Sequence, residues 1–219
     1  INHELRTPLN GVLGSADLLD KTLLDDEQQQ YLSNLIHSGD LLRVIINDLL
    51  DFSKMNAGMM EIIDKVFAWK DLENALTGVF AAKAAEKRIH FSIDKKLGIP
   101  EFLIGDFERV TQILVNLIGN AIKYAGDSAQ IDVRLSNKAS DTQSYLAVTI
   151  SDNGPGIPQN RLSDIYDPFT RLDASRDKKL GGYGLGLAIV KESMRMMGGK
   201  AIALNRAEGG LAVTLLFRQ

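Results

Sequence analysis

Phe107-Glu-Arg-Val-Thr-Gln-Ile-Leu-Val-Asn-Leu-Ile-Gly-Asn-Ala-Ile-Lys-Tyr124 is the stretch on which the fold turns. Val110, Ile113, Leu114, Leu117 and Ala121 recur at three- and four-residue steps, the spacing of one buried helical stripe. Asn116, Asn120 and Lys123 line up on another face of the same helix. Two amide oxygens and an ammonium so placed suit a hydrated magnesium ion and phosphate oxygens, because magnesium prefers hard oxygen donors and keeps several waters. Taken alone, the same three side chains also describe an ordinary polar helix face.

Downstream, the strand-like run Leu146 to Ser151 leads into Asp152-Asn-Gly-Pro-Gly156, then Ile157 and Pro158. Such a turn-rich stretch puts a carboxylate at the end of a buried strand. Asp152 there can accept from the exocyclic amine of adenine, and Gly154 and Gly156 let the backbone, on through Ile157, approach the base. An acceptor left unpaired against guanine costs about 1–3 kcal/mol. An ordinary hairpin turn is the competing reading. Next, Gly182-Tyr-Gly-Leu-Gly186 opens a helix over Leu185 to Met197, so amides of Gly182, Gly184, Leu185 and Gly186 would meet phosphates. No strand of a βαβ unit precedes this loop, which argues against a dinucleotide-binding site. Residues 159 to 181 read as a polar, mobile lid in which Asp167-Pro168-Phe169 is an island, with Phe169 as latch or packing residue.

Upstream the texture changes. Leu5, Leu9, Val12, Ala16 and Leu19 form a coiled-coil-like seam, and a second runs through Leu32, Leu35, Gly39, Leu42, Ile46 and Leu49. Ile36, Ile45 and Leu50 widen the second stripe beyond what one hairpin covers. Two long helices joined around Asp25 and Asp26 therefore predict a homodimer, closed as a four-helix bundle across a two-fold axis. Beyond Asn56-Ala-Gly58, strands (Ile89 to Ile93, Ile131 to Leu135, Leu146 to Ser151, Ala201 to Leu204, Ala212 to Phe217) interleave with helices from Leu72 to Lys87, Phe107 to Tyr124 and Leu185 to Met197. The expected fold class is α plus α/β: a helical hairpin over residues 1–58, then a two-layer α/β sandwich over 59–219.

On the first helix His3 falls roughly 160° from the mean direction of the seam, at about 100° per residue, and so is expected to face solvent. Thr7, one turn on, shares that face. A nucleophilic imidazole must be neutral, and its ordinary pKa near 6.5 leaves it largely uncharged near neutral pH. Glu4 can hold the useful tautomer and take the ring proton. Pro8 removes a helical hydrogen bond and is expected to bend or loosen the helix there. A solvated surface histidine beside a glutamate is the plainer reading of this block alone.

Composition narrows the function. The 219 residues carry a net charge of −3 with 45% hydrophobic content, and no basic cluster marks a nucleic-acid surface. With no cysteine there is no disulfide framework or thiolate metal site, and three scattered histidines argue against a zinc site. No apolar run approaches the roughly 20 residues that cross a bilayer. The chain begins at Ile1-Asn2-His3 without a start Met, which leads us to expect a cytoplasmic fragment whose full-length protein is anchored in the inner membrane only through segments outside this sequence.

In order and over essentially the whole chain, these blocks resemble the catalytic core of two-component sensor histidine kinases. His3 to Pro8 looks like the H box, Asn116 to Tyr124 the N box, Asp152 to Gly156 the first glycine box, Pro168-Phe169 the F box and Gly182 to Gly186 the second glycine box. The resemblance implies a dimerisation and histidine-phosphotransfer hairpin followed by an ATP-binding domain of the Bergerat type, a mixed sheet backed by three helices. It makes His3 the phosphoacceptor, Glu4 its base and Thr7 the residue that orients water when such enzymes dephosphorylate their partner. Asn120, helped by Asn116, would hold Mg2+; Lys123 would meet phosphate, Tyr124 would lie beside the nucleotide and Asp152 would read adenine. The implied partner is the receiver domain of a response regulator, and Leu9-Asn10-Gly11 is similar to hybrid kinases, whose own receiver domain would follow Gln219. Two positions depart from the pattern: Ala125 stands where many members have Thr or Ser, and Tyr183 where Thr or another small residue is usual. The same fold serves chaperone, gyrase and mismatch-repair ATPases, whose N-box Glu activates water; Asn116, an amide, cannot. A response-regulator phosphatase and a non-catalytic nucleotide-binding scaffold are the alternatives.

Overall fold

The structure, a computed structural model, describes residues 2–140, 143–171 and 183–218, without the side chains of residues 2, 3, 5 and 140. The chain divides into two compact units, Ile1–Met59 and Met60–Gln219.

The first unit is a helical hairpin of α1 (Asn2–Leu19) and α2 (Asp26–Asn56). α2 starts where it does because Asp25 caps it. The Asp25 carboxylate accepts from Gln28 N at 2.8 Å, and the Gln28 side chain accepts from Asp25 N at 3.1 Å, so two otherwise orphaned donors are satisfied reciprocally. α1 runs without a break through Pro8. Leu9, Ala16, Leu32 and Gly39 are buried. Leu13, outside the seam read from the sequence, closes this contact: a Cβ on Gly39 would sit 2.5 Å from Leu13 Cδ2. The missing side chain is what lets Leu13 reach α2. Val12, Leu19, Leu35, Leu42 and Leu49, all in the expected seams, stay exposed in the single chain.

The second unit is a five-stranded sheet backed by three helices, with a two-stranded ribbon beside it. The sheet order is β2-β4-β5-β7-β6, from β2 (His90–Lys95), β4 (Gln130–Ser140), β5 (Gln143–Asp152), β6 (Lys200–Asn205) and β7 (Leu211–Arg218). β2 pairs with β4 in parallel; the other ladders are antiparallel, so the sheet is mixed. Alternate residues face the helices: Ile131, Val133 and Leu135 on β4, Val148 and Ile150 on β5, Val213 and Leu215 on β7. The covering helices are α3 (Trp69–Glu86), α4 (Phe107–Tyr124) and α5 (Gly186–Met196).

α4 buries the whole expected stripe and adds Ile118 and Ile122. Each of its buried Val, Leu and Ile side chains contributes about 1.5–3 kcal/mol when removed from water. Its N-cap, Asp106, accepts from Arg109 N at 3.0 Å and, with its second oxygen, from Ile63 N at 3.1 Å, tying the segment before β1 to the helix start. The ribbon of β1 (Lys65–Ala68) and β3 (Phe102–Gly105) was not read from the sequence. Both strands are four residues long; β1 lacks the alternation of a half-buried strand, and β3, although Phe102 and Ile104 are exposed and Leu103 is half-buried, reads Phe-Leu-Ile-Gly with no apolar–polar alternation in its sequence.

Candidate functional site

α4, the end of β5 and the start of α5 meet at one place. Asp152 is the last residue of β5 and is 9% exposed. Its Oδ1 accepts from Gly154 N at 2.9 Å and from Leu211 N at 3.2 Å, which leaves Oδ2 for an outside donor. Burial pushes the carboxyl above the usual carboxylate range, and the two backbone hydrogen bonds and the nearby Arg206 charge pull it back. The turn is fixed on both sides. Gln130 N donates to Asn153 Oδ1 at 2.8 Å, and Asn205 grips Ile157 twice, accepting from its N–H at 2.9 Å and donating to its carbonyl at 2.6 Å.

Gly154 packs against the C-terminus of α4: a Cβ there would lie 2.6 Å from Ala125 Cα and 3.3 Å from its Cβ. That contact gives a packing reason for glycine at position 154. Asn116 faces α5, with Nδ2 3.5 Å from the Gly186 carbonyl. Asn120 and Lys123 are half-buried. Lys123 Nζ donates to the Tyr124 hydroxyl at 2.6 Å and lies 4.3 Å from its ring centroid, so the cation sits by the rim of the site. Tyr124 is itself 44% exposed. Among the described residues, the α5 start has no side-chain cap hydrogen bond. Gly184, at φ +73°, is pressed on the backbone of Phe169, and Phe169 N donates to the Gly184 carbonyl at 2.9 Å. A side chain at 184 would need the left-handed region and would clash as well.

Of the segment read as a polar lid, residues 159–171 are described. Up to residue 171 this segment carries two short 3-10 turns, Gln159–Arg161 and Asp164–Tyr166, and Ile165 is buried. The apolar side chains of Ile165 and Tyr166 anchor it; burial pushes the Tyr166 hydroxyl up to about 12, and it finds no hydrogen-bond partner among the described residues. Residues 172–182 of the expected lid and phosphate loop, Gly182 among them, lie outside the described residues. The Phe169 ring is 60% exposed; it is its main chain that packs, on Gly184. Leu185 is buried, and Tyr183 is 43% exposed.

Glu4 and Thr7 are exposed on α1 in the hairpin unit. His3 is in that helix, but its side chain lies outside the described ones, so the expectation that it faces solvent has no structural counterpart. What the sequence did not disclose is that the turn joining β6 and β7 closes on Asp152. Arg206 Nη1 donates to the Asp152 carbonyl at 2.8 Å, and Gly210, at φ +90°, lies so close to that carbonyl that any Cβ would collide with it. The pair Gly209-Gly210 signals a tight turn. That the turn closes on Asp152 is a contact across more than fifty residues, which local pattern cannot carry.

A family model described as "Histidine kinase-, DNA gyrase B-, and HSP90-like ATPase" matches residues 105–219, the α4-to-β7 part that builds this site. The chain belongs to this family. A second model, "His Kinase A (phospho-acceptor) domain", matches residues 1–58, the hairpin. Together the two make the chain a sensor histidine kinase catalytic core. Among relatives, it is 37% identical over 219 residues to the hybrid signal transduction histidine kinase B of Dictyostelium discoideum, covering 99% of this chain and 11% of the relative. It is 38% identical over 200 residues to the signal transduction histidine-protein kinase BarA of Escherichia coli (strain K12), covering 91% of this chain and 22% of the relative. The full-length ShkA crystal structure in complex with AMPPNP superposes with a TM-score of 0.84 at 31% identity, over 100% of this chain and 45% of that one. The chain thus spans less than half the length of these relatives. Among the described residues, no helix is long and apolar enough to cross a membrane.

Proposed function

We propose that this histidine kinase core binds ATP between α4, the Asp152 turn and the start of α5, and transfers its γ-phosphoryl group to His3. The observation that carries the reading is Asp152: a buried carboxylate with one oxygen locked by two backbone amides and the other left to accept from an adenine amine. The N-terminus of α5 and Lys123 supply positive ends for the phosphates. In the transfer, the bond from the γ-phosphorus to the β,γ-bridging oxygen breaks and a P–N bond forms at the imidazole; ADP leaves, and Glu4 takes the ring proton. Residues 1–58 serve as the dimerisation and histidine-phosphotransfer unit and residues 59–219 as the ATP-binding unit.

Asn116, whose amide faces Gly186 of α5, and Asn120, one turn on, are half-buried amides that fit a hydrated Mg2+ ion, which when bound would neutralise triphosphate charge. The exposed stripe of Val12, Leu19, Leu35, Leu42 and Leu49 supports a homodimer. The phosphoryl group then passes to an aspartate of a response-regulator receiver domain, a partner that follows from the phospho-acceptor hairpin and the hybrid-kinase relatives. Incubation with ATP labelled at the γ-phosphate should give acid-labile, base-stable label that His3→Gln abolishes while ATP binding persists. Label retained in that variant refutes the assignment.

A further inference from the structure

The β6–β7 hairpin touches the Asp152 turn at each end. Asn205, the last residue of β6, takes both backbone groups of Ile157, the N–H at 2.9 Å and the carbonyl at 2.6 Å. Arg206 takes the carbonyl of Asp152 at 2.8 Å, and Leu211 N takes its Oδ1 at 3.2 Å. The hairpin is itself closed by Arg206 N to the Gly210 carbonyl at 3.0 Å and Gly209 N to the Arg206 carbonyl at 3.2 Å. The loop from Asn153 to Ile157 belongs to no strand, so these side chains stand where ladder hydrogen bonds would otherwise fix it.

We infer that Asn205 and Arg206 are positioning residues of the nucleotide site, holding the Asp152–Ile157 turn from the neighbouring hairpin so that the second carboxylate oxygen of Asp152 points at the base. The inference rests on the ATP site proposed above and deepens it, by assigning base discrimination to residues that do not touch the base. The Asn205 pair is solvent-exposed, so water replaces both bonds when the side chain is removed, and the fold does not depend on it. The turn does. Without the clamp Ile157 loses its anchor and the Asp152 acceptor is no longer held in one place. Arg206 acts at the other end, and its guanidinium also favours the ionised Asp152 that an amine donor needs.

The test compares the wild-type chain with Asn205→Ala, Asn205→Asp and Asp152→Asn, measuring Kd for ATP and for GTP, the turnover at saturating ATP, and the melting temperature without nucleotide. Asn205→Ala should weaken ATP about 10-fold, lower the ATP-over-GTP ratio by a similar factor, and leave saturated turnover and melting temperature close to wild type. Asn205→Asp keeps the acceptor for Ile157 N–H and loses the donor, so its ATP affinity should fall between the two. Wild-type ATP affinity and base preference in Asn205→Ala, with loss in Asp152→Asn, overturn the positioning role and leave the ATP site standing. A drop in melting temperature that accounts for the lost affinity also overturns it, since Asn205 is then a fold residue. No ATP binding by the wild-type chain overturns both readings.

Discussion

Leu114 on α4 and Leu42 on α2 both lie on apolar stripes of long helices, yet the first has no exposed surface and the second is 46% exposed. The α/β unit closes its core within itself, because the period-2 faces of β4, β5 and β7 supply the surface that α3, α4 and α5 need. The hairpin has no sheet to lie on. Its two helices cover one stripe through Leu9, Leu13, Ala16, Leu32 and Gly39, and the adjoining stripe of Val12, Leu19, Leu35, Leu42 and Leu49 stays open. A heptad pattern therefore locates a contact surface without saying which chain supplies the other half.

The largest effect that can break this comparison is in the α/β core. Leu114→Ala should cost about 2–5 kcal/mol in urea unfolding, whereas Leu42→Ala should cost far less in a chain kept dilute enough to be monomeric. Equal costs would mean the two stripes are alike. Leu42→Glu sharpens the point, because a charge in a two-fold interface meets its own copy: sedimentation should shift from dimer to monomer, and a dimer that persists removes the open stripe as the interface.

Next in size is Asp152→Asn, which should lose about 1–3 kcal/mol of ATP affinity with little change in unfolding. The same residue sets a pH signature. Its pKa is raised by burial, so the wild-type carboxylate protonates at a higher pH than an ordinary one, and ATP affinity should fall on acidification sooner than for an exposed carboxylate. Titration calorimetry across acidic pH should find that slope in the wild type and none from this group in the Asn variant.

The smallest effect lies in the hairpin. Burial first, and the charge of Asp51 second, raise Asp48 to about 6. The folded state thus holds this proton more tightly than the unfolded one, so stability is lost as pH rises from about 4 to about 6 and the deficit persists above. Discounted for partial exposure, Asp48→Asn should stabilise the chain by about 1 kcal/mol at pH 7 and by nothing below about pH 4. An effect of the same size at both pH values would mean that charge is not its source.

Much of this was legible in the residues. α4 could be read to its ends because its stripe is wide and Asp106 caps its start. The strand leading to Asp152 was legible because apolar residues run straight into a glycine-rich turn. The β1–β3 ribbon was not, since its strands are short, exposed on one side and separated in sequence by α3 and β2. Nor was Leu13 at Gly39, where the signal is a missing side chain on one helix rather than a residue on the other. The grip of Asn205, Arg206 and Leu211 on the Asp152 turn escaped for a related reason: each side of it looks like an ordinary turn until the fold sets them together.

The most direct measurement is the site of the phosphoryl group. After reaction with γ-labelled ATP and digestion at alkaline pH, peptide mapping should find an N-linked phosphate on His3 and none on His37 or His90. Phosphate on Ser or Thr, or a chain that binds ATP and leaves His3 unmodified, would contradict the account.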